Sequence, residues 1–263
     1  DAEDEWTGCG KDKKLLYGLD VGKAYNKPAK NKNHVPICPV KIRTKRSISM
    51  ASSMIHLAIT EAMIKQADFQ DFKRLRLGAI LPDGAVRGNS HLKKKKQLDG
   101  ELTFTYTYDL EFYRSRYQKE MKTDDLYLGY YLHLIQDTFY RKFIYGEHHW
   151  DSRNPENVKK LHRDYEITNC HVAQKYGLSP GNLQVIDLTG EPITELADFD
   201  APGLVEEVRE QFAPAAETDI FFFSKEMAEE LVERSIVFCL DELRRLKTGK
   251  AGLNSMDWSW KIF

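Results

Sequence analysis

The stretch Tyr131-Leu132-His133-Leu134-Ile135-Gln136-Asp137-Thr138 constrains this chain more than any other. On an α-helix, residues four apart share a face, with Cβ atoms about 5–6 Å apart. His133 and Asp137 therefore stand side by side. Their surroundings are apolar and aromatic, including Leu126, Tyr127, Tyr130, Tyr131, Phe139 and Tyr140. Such a helix, apolar on most of its circumference, is enclosed by a core, so the pair points inward. A buried carboxylate without a partner is costly, and a histidine neighbour or a metal ion resolves that cost. Imidazole and carboxylate are both ligands that zinc accepts.

The pair has company. Six of the eight histidines fall between positions 56 and 162: His56, His91, His133, His148, His149 and His162. Asp83 sits in the turn sequence Pro82-Asp83-Gly84. A second i, i+4 pair occurs at His162 and Glu166, in His162-Arg163-Asp164-Tyr165-Glu166. So many ligand-type residues in one region favour a multinuclear metal site over several separate structural histidines. His34 and His171 are read as outside it.

The rest of the 263 residues divides unevenly. Residues 1–49 are rich in Lys, Asn, Gly and Pro and carry no helical or strand period, which predicts an irregular N-terminal extension. From position 50 onward the pattern is that of a helical domain extending to 263. Serines at 47–53 cap a helix over 54–67. Further helices are predicted over 109–121, 123–143, 155–175 and 225–247, with Pro155 at a first helical position. Residues 102–108 alternate, as a short strand or an aromatic helix entry does, and a strand is expected over 183–188 inside a Pro/Gly-rich connection over 178–203. The run Lys93-Lys94-Lys95-Lys96 has no interleaved aromatics and reads as a solvated face or loop.

Hydrophobic residues at 41% and aromatics at 11% suit a protein with a real core. A net charge of −1 supplies no global field for nucleic acid or an acidic membrane. No apolar run approaches the roughly 18 residues needed to span a bilayer, so no transmembrane segment is expected. Four scattered cysteines (Cys9, Cys38, Cys170, Cys239) make no disulfide framework and suit a reducing compartment, hence a cytoplasmic location.

Taken together, several of these motifs resemble the bacterial zinc-dependent phospholipase C family. They are Met50-Ala51-Ser52-Ser53-Met54-Ile55-His56-Leu57, Gly78-Ala79-Ile80-Leu81-Pro82-Asp83, Ser90-His91-Leu92 and Gly129-Tyr130-Tyr131-Leu132-His133-Leu134-Ile135-Gln136-Asp137. More distantly they resemble the single-strand-specific zinc nucleases. The resemblance covers about residues 50–175. It implies a mainly α fold, a single helical bundle binding two or three Zn2+ ions. His56, Asp83, His91, His133 and Asp137 match the family's ligands in order. His148 or His149 supplies the next ligand, and His162 with Glu166 the last pair. The family's N-terminal tryptophan, which also holds a zinc, has no match at position 50.

The chemistry implied is phosphoester hydrolysis, phospholipase C-like, by water activated between metals about 3.5–4 Å apart. Asp83 would orient that water or act as general base. Arg141, one turn beyond Asp137, is the candidate phosphate clamp, because its planar fork suits phosphate. The expected partner is a phosphoester substrate, phospholipid among the options, with nucleic acid less favoured and oligomeric state undefined. The alternatives are a zinc nuclease and a non-catalytic module stabilised by metal. A phosphohydrolase with an adjacent His-Asp dyad is disfavoured, since no His-Asp dipeptide occurs.

Overall fold

The helix carrying His133 and Asp137 is the axis on which the structure is built. The computed structural model describes residues 51–97, 103–216 and 219–261, which belong to one compact unit. The extension read over 1–49 lies outside the described residues. Eight α-helices are present among the described residues, with two small antiparallel sheets, so the fold is mainly helical as expected.

In chain order the helices are α1 (Ser53–Ile64), α2 (Phe72–Ile80), α3 (Leu110–Arg116), α4 (Glu120–Thr123), α5 (Asp125–Arg141), α6 (Pro155–Tyr176), α7 (Ala201–Glu210) and α8 (Lys225–Lys247). Strands β1 (Ala85–Gly88) and β4 (Ala197–Phe199) form one sheet. Strands β2 (Lys93–Gln97), β3 (Phe104–Tyr108) and β5 (Trp260–Lys261) form the other, in that order.

α5 is buried on every side except at Leu128. Asp124 caps it by accepting the Leu126 N–H at 2.9 Å. α2 packs hardest against it, and glycines make this possible. A Cβ on Gly78 would stand 2.2 Å from the Leu126 carbonyl oxygen, and one on Gly129 would stand 2.3 Å from that of Leu75. Two bare backbones therefore touch where α2 and α5 cross.

α1 is buried over most of its length and packs against α2, α6 and α8. Ser52 accepts the Met54 N–H at 3.2 Å, the serine cap expected for it. α6 starts on an Asn154 cap with Pro155 in its first turn. It ends at Gly177 in the left-handed region (φ 70°), where the Leu178 N–H reaches back to the Ala173 carbonyl.

Several expectations needed correcting. The helix predicted over 109–121 is two, because the backbone leaves helical geometry at Tyr117. The helix predicted to reach Phe143 turns into a π-helical turn over Lys142–Glu147. Residues 183–188 form no strand: Leu183 is buried and Val185 exposed, but no neighbouring strand offers them a ladder. Within the supposed Pro/Gly connection, Ala201-Pro202-Gly203 opens α7, with Asp200 accepting the Gly203 N–H at 2.9 Å.

Candidate metal centre

Four segments bring the site together. α1 contributes His56. The 3-10 turn Leu81–Gly84, which continues directly from α2, contributes Asp83. α5 contributes His133 and Asp137, and His91 reaches in from the loop before β2. His56, Asp83 and His133 converge as one potential ligand group and His91, His133 and Asp137 as another, sharing His133.

The atoms facing one another are the ones a metal would take. His91 Nε2 lies 3.3 Å from Asp83 Oδ1 and 3.5 Å from Asp137 Oδ2. His133 Nε2 lies 3.2 Å from His91 Nε2, 3.7 Å from Asp137 Oδ2 and 3.9 Å from Asp83 Oδ1. His56 Nε2 lies 3.6 Å from the other Asp137 oxygen. Two donors each about 2.0–2.1 Å from a tetrahedral zinc stand about 3.3 Å apart, so this spacing is that of a coordination shell.

The far side of each ring is already committed. His133 Nδ1 donates to the Ala79 carbonyl at 2.8 Å, which leaves Nε2 as a bare lone pair. His56 Nδ1 faces Gln136 Oε1 at 2.7 Å, and His91 Nδ1 faces Ser90 Oγ at 3.1 Å. Outer partners of this kind fix tautomer and ring direction in metal-binding histidines. The Ala79 carbonyl is available only because Gly78 and Gly129 let α2 approach α5 so closely.

Within the pocket the demand for a cation is plain. His56 Nε2, both oxygens of Asp83 and both oxygens of Asp137 are buried without a hydrogen-bond partner. Each unsatisfied buried polar group costs about 1–3 kcal/mol, more when charged. Five together would consume much of a domain's net stability, which is about 5–15 kcal/mol. Burial drives the His133 pKa well below its ordinary value and raises that of Asp137. Against burial, the facing histidines His133 and His91 pull the Asp83 carboxyl down to about 2. Burial alone would lower His91, but Asp83 and Asp137 outweigh it and raise its pKa. Divalent cations would offset the two carboxylates and take up the unpaired lone pairs of His56, Asp83 and Asp137. These donors therefore fit a zinc-type ion.

Not all the candidate ligands reach this cluster. His148 packs its ring 4.4 Å from that of Phe143. His149 is exposed, with a positive φ of 54°. His162 is half-buried against Tyr165, and burial lowers its pKa. Glu166 is exposed and accepts from Arg163 at 2.5 Å. None of these four belongs to either convergent group. The i, i+4 spacing of His162 and Glu166 placed them on one face of α6, but a local spacing says nothing about what that face meets. Asp164 between them has a structural task, accepting the N–H groups of Phe221, Phe222 and Phe223 at 3.0, 2.7 and 2.8 Å. His171, as expected, stands apart, bonded to Glu229 at 2.6 Å.

Arg141 is buried rather than superficial. Its Nε donates to the Tyr108 hydroxyl at 3.2 Å, and its guanidinium lies 5.0 Å from the ring centres of both Tyr145 and Trp260. It lines an open cleft with Lys142, Tyr145, Trp258 and Trp260. Of the supporting groups, Gln136 and the Ala79 carbonyl escaped the sequence reading. Gln136 adjoins Asp137, which is a weak signal, and a backbone carbonyl gives none.

Compared with family models, curated proteins and solved structures, the chain finds no match in any of the three.

Proposed function

We propose that this protein is a metal-dependent phosphoester hydrolase, phospholipase C-like in its ligand order, with the helical bundle of that class. The observation that carries the reading is the set of five buried, unpartnered donor atoms on His56, Asp83 and Asp137, facing His91 and His133. The described residues converge at one cluster whose two carboxylates suit two Zn2+ ions. When bound there, such ions supply positive charge for a phosphoryl group and lower the pKa of water toward neutrality.

The protein's own residues do the rest. His133 and Asp137, fully buried on α5, hold a fixed floor. His91, with 16% of its side chain exposed, is the most solvent-exposed of the five and stands on the side from which a substrate would approach. Asp83 lies beside His91 on that side and is the carboxylate placed to take a proton from attacking water. Arg141, one helical turn past Asp137, adds a permanent charge on the same face of α5.

The test combines metal analysis with hydrolysis. Zinc-reconstituted protein is expected to hold two equivalents and to cleave generic chromogenic phosphomono- or phosphodiesters. Less than one equivalent would remove the metal centre. Full occupancy with no hydrolysis of either ester class would leave a metal-stabilised module instead.

A further inference from the structure

The one gap in the enclosure of α5, at Leu128, opens into a cleft of about 770 Å3. That size lies within the range of small-molecule sites, about 300–1,000 Å3. Leu128 precedes Asp137 by nine residues, about two and a half turns of helix. The two side chains therefore point opposite ways, and the cleft opens away from the metal cluster. Its walls are aliphatic: Met121 on α4, Leu128 on α5, and Leu243 and Leu246 on α8. Met121, Leu128 and Leu246 are half-buried, and no aromatic ring joins the lining. Arg114 on α3 also lines it, with 18% of its side chain exposed. Its Nη1 donates to the Tyr131 hydroxyl at 2.6 Å and to the Leu253 carbonyl at 2.8 Å. Tyr131 donates in turn to the buried Glu242 at 2.6 Å, so the guanidinium is held in place. Nε and Nη2 donate to no group among the described residues. The Glu111 carboxylate stands 3.6 Å from Nη2 and is itself taken by the Ser255 N–H at 2.7 Å.

We propose that this cleft binds an aliphatic carboxylate: a chain of medium length with one negative end. A guanidinium with two adjacent donors to spare matches the two oxygens of a carboxylate. Lys247 and Lys250 add positive charge to the same lining. Asp68 and Asp125 share it, which disfavours a dianion such as a phosphomonoester. The chain would lie along Leu128, Leu243 and Leu246, taking apolar surface out of water. A flat aromatic ligand finds no ring to stack on, and a cationic one meets Arg114 and the lysines. Phosphoester hydrolysis neither consumes nor forms a carboxylate. The site is thus separate from that reaction, and the proposal does not rest on the hydrolase reading.

The experiment is isothermal titration calorimetry of the full, zinc-loaded chain with sodium decanoate. One saturable site is expected, with affinity rising by up to about fourfold per methylene from hexanoate to decanoate. Decanol and decyltrimethylammonium, which keep the chain and lose the negative charge, should bind at least about tenfold more weakly. Arg114→Lys keeps the charge but loses the planar fork, and should weaken decanoate binding by about tenfold. Because Arg114 also ties down Leu253, Leu246→Glu supplies a second reading. It leaves that tie intact, sets a like charge beside the ligand in the last turn of α8, and should weaken binding at least as much. Melting curves establish that each variant is folded. No saturable binding, decanol bound as tightly as decanoate, or decyl phosphate bound more tightly would overturn the proposal. So would a folded variant of either kind that binds like the parent, since the carboxylate would then sit elsewhere, on the metals included.

Discussion

His133 has no spare atom: one ring nitrogen is held by the Ala79 carbonyl, and the other faces His91, Asp83 and Asp137. Replacing it with alanine leaves two buried carboxylates with one fewer partner and opens both ligand groups. His133→Ala is therefore expected to abolish phosphoester hydrolysis and to lower the melting temperature of the zinc-loaded protein. Activity surviving within a few-fold on the best ester would show that His133 is not a ligand. The same cluster predicts a pH dependence of metal binding. A proton and a metal compete for His91 Nε2, and the pKa of His91 stands above its ordinary 6.5. His133, pushed well below 6.5, stays neutral and does not compete. Zinc affinity should be level above the His91 pKa and fall as pH drops through it, about tenfold per pH unit for one proton. Dissociation constants measured across that range check the sign. Affinity that is flat or rises on acidification contradicts it.

The crossing of α2 and α5 decides whether the site exists. Gly129→Ala would press a methyl group onto the Leu75 carbonyl and, 3.1 Å away, the Ala79 nitrogen. Backbone cannot rotate aside as a side chain can. The expected loss is about 1–3 kcal/mol in denaturant unfolding, the usual range for overpacking. Weaker zinc binding should accompany it, because α2 carries Ala79 and leads into the turn holding Asp83. An alanine variant as stable as the parent would show that the helices can part without cost. The long elements α1, α5, α6 and α8 were legible in the sequence, because period, cap and length agree in each. The small sheets were largely not, since four of the five strands, β1, β2, β4 and β5, lack the alternation of a half-buried strand. β2, read as a charged loop, is a strand held by its pairing with β3. α7 was hidden because Pro and Gly at its start resemble a turn until Asp200 is seen capping it.

For the whole molecule, metal and folding should be linked. Ions that bind only the folded state at a thousand times their dissociation constant add about 4 kcal/mol of stability. In a domain of this size each kcal/mol shifts the midpoint by about 2–4 °C. Chelation should therefore lower the melting temperature by about 8–16 °C, and zinc should restore it. A melting curve indifferent to chelator would mean that the cluster tolerates its charges unaided. No helix among the described residues is long and apolar enough to cross a membrane.

The sequence by itself determined the helical character and the inward pairing of His133 with Asp137, because both depend on spacing along one helix. It also identified the ligand types, since imidazoles and carboxylates near apolar runs announce themselves. Tertiary structure alone decided which of them meet. His56 and His91 lie far from Asp137 in sequence yet meet it at 3.6 and 3.5 Å, and Asp83 is carried to the cluster by the turn after α2, a helix that two glycines let close on α5. His162 and Glu166, paired just as convincingly by spacing, face elsewhere. Likewise the lysines of β2 acquire their aromatic neighbours only through strand register. Local periodicity sets which face a side chain occupies, and long-range packing sets what that face encounters.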